Sequence, residues 1–445
     1  RDIVKELPVS QSSLLWFTNN LRLDDNAVFK AVEDDSTLHC IYIQDPRTEH
    51  FFHLGEKQFG THRARFLEQT ITTLDQQLSK LGQCLHRING DYLESLTQQV
   101  QKHSIDKIVT SRHTGSYEQA AIKEIATRFP HLEIVIIETA TLFNEAQLPF
   151  AISDLDKSFT PFRKRVEDLS IDQPIRSPSL LPPPIYQNDR SAPVEPSEGF
   201  HGGEVAALAH LESYFSSDAP LSYKETRNAL DDWQSSTKLS PWLASGALSC
   251  RRVIAKLNEY ESQNGANEST YWIKFELLWR EYFQWYAYRW GNLLYAFKGP
   301  HNRNPLTSYY AERFRAWCEG QTAYPIVNAA MKQLKKTGYV SNRARQLVAS
   351  CLVHELAIDW RYGAEYFEQQ LVDFDIGSNW GNWQYLAGVG ADPRGHRQFN
   401  LEKQTEIYDP QQLFIKSWQG DKDCQITEQF DYYGDPIWPT DEGKR

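Results

Sequence analysis

Between Asn342 and Tyr385 the chain sets amide, guanidinium, carboxylate and indole side chains in an order suited to holding a planar, hydrogen-bonding redox group and passing it electrons. Asn342, Arg345, Gln346 and Ala349 follow the i, i+3, i+4, i+7 spacing that brings side chains to one side of a helix. A polar face of that kind, flanked by apolar residues, requires a partner. Asp373 and Asp375 offer two carboxylates from one turn, and Trp360 and Trp383 add indoles. Taken alone, such acids form a solvated loop and such indoles are packing; proximity to a redox group is what changes their meaning.

Two further segments carry chemistry. In Ser235-Ser236-Thr237-Lys238-Leu239-Ser240-Pro241, Ser240 is a good N-cap and Pro241 suits the first helical position, which predicts a helix start. Free N–H groups there, with hydroxyls and the Lys238 ammonium alongside, form a cradle for a pyrophosphate; the plain alternative is a capped helix without a ligand. The stretch Glu276 to Phe283 puts Glu276, Trp279, Arg280 and Phe283 on one helical side, where an indole beside a carboxylate and a guanidinium can stack on a base and hydrogen-bond its edge. The plain alternative is a core indole and an i,i+4 ion pair between Glu276 and Arg280.

Other templates fail. Gly388-Val-Gly-Ala-Asp-Pro393 has proline where the dinucleotide fingerprint needs its third glycine, no Walker loop exists, and His354-Glu355 lacks the second histidine of a zinc protease. Metal and NAD chemistry are disfavoured, and no metal ligand set is expected.

The elements that must position these groups fall into two regions. Up to about residue 150, short apolar runs alternate with amphipathic ones: Leu14–Phe17, Leu38–Ile43, Lys107–Thr110 and Leu132–Ile137 read as buried strands, with a weaker one at Cys84–Ile88, and 61–80 and 117–129 have helical spacing. That alternation implies an α/β domain over 1–150 with a doubly wound, Rossmann-like parallel sheet. Residues 151–202 are expected to be a long linker, proline-rich and extended over 171–200 with Pro174, Pro178, Pro182, Pro183, Pro184, Pro193 and Pro196. From 203 to 445 helical periods dominate, and this all-helical domain holds 12 of the 13 tryptophans.

The bulk numbers agree. A chain of 445 residues is too long for one core. At 40% hydrophobic and 24% charged, with no apolar run of membrane-spanning length, it reads as a soluble protein with no membrane partner. Six scattered cysteines without a C-x-x-C pair read as reduced cytosolic thiols, and residues 1–12 lack a secretory signal; a cytoplasmic, nucleoid-associated monomer is expected. A net charge of −11 argues that any DNA binding must be local.

Taken together, Trp16-Phe-Thr-Asn-Asn-Leu-Arg-Leu-Asp-Asp-Asn26, Lys238-Leu-Ser-Pro-Trp-Leu-Ala-Ser-Gly246, Thr337-Gly-Tyr-Val-Ser-Asn-Arg-Ala-Arg-Gln346, Ile358-Asp-Trp-Arg361 and Asn379-Trp-Gly-Asn-Trp-Gln-Tyr385 resemble the photolyase and cryptochrome flavoproteins over nearly the whole chain. The last motifs, with Gly388–Pro393, resemble the DASH cryptochromes in particular.

The resemblance implies folded FAD in the helical domain, a methenyltetrahydrofolate antenna at the α/β domain, and light-driven repair of cyclobutane pyrimidine dimers, mainly in single-stranded or looped DNA. It implies that Tyr223, Ser236, Thr237, Lys238, Leu239 and Ser240 contact the FAD phosphates, with Arg280 neutralising them. Asn342 and Asp375 would hydrogen-bond the cofactor, Arg345 would pair with Asp373 beside the ring, and Asn379 would face N5. Glu276 and Gln346 would hydrogen-bond the dimer while Trp279 and Tyr385 pack its faces. Arg227, Arg343, Arg394, Arg397 and Lys403 are the implied phosphate contacts. Tyr385 stands where double-strand repair enzymes of the family have a second tryptophan, which fits a preference for unpaired lesions.

Trp383 and then Trp360 match the first members of the family's photoreduction chain, whose outermost residue falls near Thr307, Tyr309 and Tyr310; Trp317 aligns with a different family tryptophan. Glu118 matches an acidic antenna residue, with Gln44, Asp45 and Lys298 as further candidates. A blue-light sensor without repair is the alternative, against which stands the absence of a long extension after Trp438. A six-four photolyase is disfavoured by Ser341 at the family's catalytic histidine position.

Overall fold

A computed structural model describes residues 10–185, 187, 196–394, 397–426 and 438–442. The expectations resting on residues 1–9 and on Pro193 lie outside them.

Five strands, β1 (Ser12–Phe17), β2 (Thr37–Gln44), β3 (Leu85–Asn89), β4 (Lys107–Ser111) and β5 (Glu133–Ile137), form one sheet in the order β3-β2-β1-β4-β5, and every pairing is parallel. The first strand sits in the middle and the chain winds outward in both directions, the doubly wound topology that the alternation predicts. Both faces of β1 are buried. Leu15 and Phe17 pack with Ile71, Leu74 and Leu78 of α1 (Thr61–Ser79), while Leu14 and Trp16 pack with residues of α2 (Tyr92–His103) and α3 (Ser116–Arg128). One expectation is corrected: β5 is a sheet edge rather than a buried strand, with Ile136 51% exposed, because no strand among the described residues pairs beyond it.

The stretch 151–202 is not wholly a linker. Helix α4 (Phe159–Val166) lies inside it and joins the helical core, with Phe159 stacked on Trp279 at 3.9 Å between ring centroids. The described part of the proline-rich stretch, 171–185, holds no helix or strand, and the Leu38 N–H donates to the Pro183 carbonyl at 2.9 Å, which ties the segment to β2.

Beyond Gly203 the structure is helical: α5 (Glu204–Phe215), α6 (Tyr223–Thr226), α7 (Ser240–Ser245), α8 (Cys250–Asn264), α9 (Glu268–Trp290), α10 (Ala311–Glu319), α11 (Pro325–Thr337), α12 (Asn342–Ser350), α13 (Trp360–Gln370), α14 (Ile376–Ala387), α15 (Leu401–Tyr408) and α16 (Leu413–Ser417). Helix α9 begins at a reciprocal cap in which the Asn267 side chain accepts from the Thr270 N–H and the Thr270 hydroxyl accepts from the Asn267 N–H. It packs closely against α14 because Gly377 and Gly381 have no side chain to hold the helices apart. A Cβ at Gly377 would fall 2.5 Å from the Phe283 carbonyl oxygen, and one at Gly381 would fall 2.4 Å from the Phe283 ring. Two small residues four apart thus face α9, while Asn379 and Trp383, two residues beyond each glycine, turn to α13, where Asn379 meets the Ala364 carbonyl and Trp383 packs on Phe367 at 5.1 Å.

The two domains are clamped by the first loop. Buried Arg22 donates to the carbonyls of Asp24, Asp25, Thr139 and Gly246, while Asp25 pairs with Arg251 at 2.6 Å and Asp24 with Arg252 at 2.7 Å. Glu204 accepts the Leu23 and Asp24 N–H groups from the other side. Among the described residues, no helix is long and apolar enough to cross a membrane and no group of three His, Cys, Asp or Glu side chains is placed to hold a metal.

Candidate functional site

Helices α7, α9, α12 and α14, with the loops before α7 and α14, wall a cavity of about 740 Å³, a size suited to a cofactor. Its lining brings together Tyr223, the run from Ser236 to Ser240, Arg280, Asn342, Arg345, Asp373, Asp375, Asn379 and Trp383. Glu276, Trp279, Gln346, Tyr385, Arg227, Arg394 and Arg397 line the same space. Glu118, Trp360, Arg343 and Lys403 stand outside it.

The cradle differs in detail from the expected capped helix. Leu239 rather than Ser240 is the cap residue, and α7 runs only six residues. The Ser240 hydroxyl donates instead to Asp373 Oδ2 at 2.7 Å. Lys238 adopts φ +54, a left-handed conformation uncommon outside glycine, and its ammonium donates to Ser236 Oγ at 2.9 Å and to the Asp232 carbonyl at 3.0 Å. Burial lowers the Lys238 ammonium to about 8, against the opposing pull of Asp232 and Asp231.

Asp373 is held by Arg345 in a two-pronged pair at 3.0 and 2.7 Å. Burial disfavours the Arg345 charge, yet Asp373 and Tyr339 more than offset it and raise the group. Asp375 caps α14 by accepting the Ser378 N–H at 2.8 Å, and Gln284 donates to both of its oxygens at 3.0 and 2.9 Å. Gln284 lies four residues beyond Arg280 on α9; only the i,i+4 step from Arg280 hints at its position in the sequence. Asn379 Nδ2 donates to the Ala364 carbonyl at 3.0 Å, which fixes the amide.

The sequence alternative of an ion pair between Glu276 and Arg280 is corrected. Arg280 turns to the Ala140 carbonyl at 2.6 Å, while Glu276 takes Arg227 at 2.9 Å. Burial raises the Glu276 carboxyl and Arg227 partly reverses that. Trp279 and Tyr385 meet edge to face at 5.9 Å, and Gln346 Oε1 is buried without a hydrogen-bond partner. The basic rim is local on an acidic chain: Arg397 lies 4.8 Å from the Tyr385 ring and pairs with Asp392, and Arg394 is 70% exposed beside the same carboxylate. Arg343 packs on Tyr408 of α15 at 4.9 Å, and Lys403 is exposed on that helix.

The indoles form two branches. Trp383 packs edge-on against Trp317 at 6.1 Å, and Trp317 continues through Phe314 at 5.9 Å to Tyr362 at 5.6 Å. Trp360 meets Trp380 at 5.8 Å, then Trp438 at 6.3 Å and again Tyr362 at 5.7 Å. Tyr362 stacks on half-buried Tyr309 at 4.4 Å, so both branches converge on a tyrosine pair near the surface. Nothing in the sequence distinguishes Tyr362 or the Trp317 contact from ordinary core.

Glu118 belongs to a separate cluster near the strand ends. It accepts from the Tyr92 hydroxyl at 3.1 Å, and its second oxygen lies 3.5 Å from His113 Nδ1 without a hydrogen bond. Asp45 is already engaged by Arg47 and the Tyr92 N–H, Gln44 by Glu49, and Lys298 is exposed on the loop packed against Val389.

A flavin dinucleotide fits the main cavity on the donor set alone. A buried ammonium, hydroxyls and a guanidinium suit a pyrophosphate, the amides and carboxylates suit a hydrogen-bonding ring, and an orphaned amide oxygen awaits a donor.

Comparison with known proteins agrees with this reading. Residues 13–180 match the family model described as DNA photolyase, and residues 272–421 match the FAD binding domain of DNA photolyase. A cryptochrome DASH of Idiomarina loihiensis is 51% identical over 431 residues, which span 95% of this chain and 96% of that protein. One from Vibrio parahaemolyticus is 49% identical over 95% and 97%. The crystal structure of a Synechocystis cryptochrome superposes with a TM-score of 0.87 at 36% identity over 97% of each chain. A class III photolyase from Agrobacterium tumefaciens gives 0.80 at 25% identity, over 96% of this chain and 90% of that one. With a doubly wound domain, an FAD-binding helical domain and relatives of this identity along its length, the chain belongs to the photolyase/cryptochrome family, among the DASH cryptochromes.

Proposed function

We propose that this light-driven flavoprotein repairs cyclobutane pyrimidine dimers in single-stranded or locally unpaired DNA. The observation that carries the reading is the sharing of one cavity by two sets of groups. Glu276, Gln346, Trp279 and Tyr385 suit a pyrimidine pair, and the cradle and Arg345–Asp373 suit FAD.

When bound and reduced, FAD supplies the electron on excitation by blue light. The chain's own residues bind and orient. Trp279 and Tyr385, in edge-to-face contact at 85°, form a corner of two ring walls against which a splayed dimer packs, and Glu276 and Gln346 offer polar atoms to its edges. Asn379 presents a neutral amide, which adds no charge beside the cofactor. Entry to the cavity requires the lesion to leave the stack, and an unpaired lesion does so at the lowest cost. Tyr385 returns less stacking area than an indole, which favours strands without pairing to break.

Glu118, with an oxygen lacking a hydrogen bond, is proposed as an antenna contact for methenyltetrahydrofolate. Asp45 and Gln44 are already satisfied by their neighbours and serve its surroundings only. The test is illumination of reduced protein with an oligonucleotide carrying one thymine dimer. Repair supports the enzyme, and a bleaching flavin with dimers untouched supports a photoreceptor instead.

A further inference from the structure

Trp272 is a residue that neither the motifs nor the proposed lesion contacts use. It lies four residues before Glu276 and seven before Trp279, so all three share one face of α9 and all line the cavity. The two indoles flank the carboxylate at a separation of about 10 Å along the helix. Arg227 joins this arrangement from the C-terminal cap of α6. Its guanidinium lies 4.4 Å from the centre of the Trp272 ring and donates to Glu276 Oε1 at 2.9 Å, while its Nε is buried without a hydrogen bond. Lys224 approaches the same ring at 5.6 Å and Phe275 braces it at 4.1 Å.

We infer that Trp272 is a stacking platform for the nucleobase next to the lesion on a single strand, uncovered when Arg227 turns from Glu276 to a backbone phosphate. The inference rests on the proposed lesion site and names a subsite beside it. A guanidinium and a base compete for the same flat indole face, and a phosphate is a better partner for Arg227 than a carboxylate that a lesion is about to claim. One exchange therefore satisfies three groups: phosphate takes the guanidinium, a base takes the indole, and Glu276 is freed for the dimer. In a duplex the neighbouring base stays paired and stacked, so the gain is confined to unpaired DNA.

The test uses flavin-loaded protein and fluorescent single-stranded oligonucleotides carrying one thymine dimer, with the nucleotide on each side either intact or abasic, and the undamaged strand as reference. Wild type binds the dimer strand about tenfold more weakly when the flanking base on one side is missing. Trp272→Ala loses the same factor on the intact strand and nothing further on the abasic one, whereas Trp272→Phe keeps most of the preference. Equal affinity of wild type for intact and abasic flanks overturns the platform, as does a Trp272→Ala defect of the same size on both. If Trp272→Ala fails to fold by circular dichroism, the abasic comparison in wild type decides alone. The lesion reading fails separately, by wild type holding dimer and undamaged strands alike.

Discussion

Arg345 and Asp373 meet through two parallel hydrogen bonds, and Asp373 also receives the Ser240 hydroxyl, so one carboxylate links the start of α7 to α12 across the cavity. Asp373→Asn keeps the shape but cannot accept both guanidinium nitrogens. A loss of about 2 kcal/mol is expected, below that of a fully buried pair because a quarter of the Arg345 side chain reaches solvent (25% against 3% for Asp373). Thermal unfolding and FAD titration of the variant check it; a wild-type melting temperature and affinity would contradict the linking role.

Glu276→Ala is expected to lower repair of single-stranded dimers at least tenfold while the protein keeps its flavin, since Glu276 pairs with Arg227 and not with any cradle residue. Loss of bound FAD in the purified variant would show that Glu276 serves the cofactor instead.

Flavin binding is expected to depend on pH through Lys238. Its folded pKa of about 8 lies below the ordinary 10.5, so below pH 8 folded and unfolded chains both carry the charge and its burial cost is fully present. Between about 8 and 10.5 the unfolded state binds more protons, and the cofactor-free protein gains stability as pH rises. A pyrophosphate favours the charged form, so FAD affinity is greatest below pH 8 and falls about tenfold for each further unit until the pKa of the complex is reached. Fluorescence titrations from pH 7 to 9.5 measure this slope, which Lys238→Met should flatten.

Trp383 lines the cavity and touches Trp317. Trp383→Phe should slow photoreduction by more than tenfold yet leave repair by chemically reduced enzyme within a factor of two. Equal damage to both would mean that it packs the site rather than carrying charge.

Much of this was legible from local spacing. The α9 stripe, the α12 face and the parallel sheet follow from periodicity, because helices and strands impose it on every apolar residue. What spacing could not supply were partners distant in sequence. Glu276 found Arg227 at the end of α6 rather than Arg280 one turn away, because Arg280 is drawn to the Ala140 carbonyl at the domain junction. Ser240 looked like a cap and became an Asp373 ligand for the same reason. Helix α4 was hidden inside a stretch read as linker for its later run of prolines, although its own Pro161 sits in the first turn, where proline is tolerated, and the edge position of β5 depends on sheet order, which no single strand encodes.

The most direct measurement follows thymine dimers under blue light in two matched substrates, one single-stranded and one fully paired, with reduced flavin-loaded protein and a dark control. The account predicts light-dependent loss of dimers from the single strand, at least tenfold faster than from the duplex. Dimers that persist in the illuminated single strand, or disappear equally fast in the dark, would contradict it.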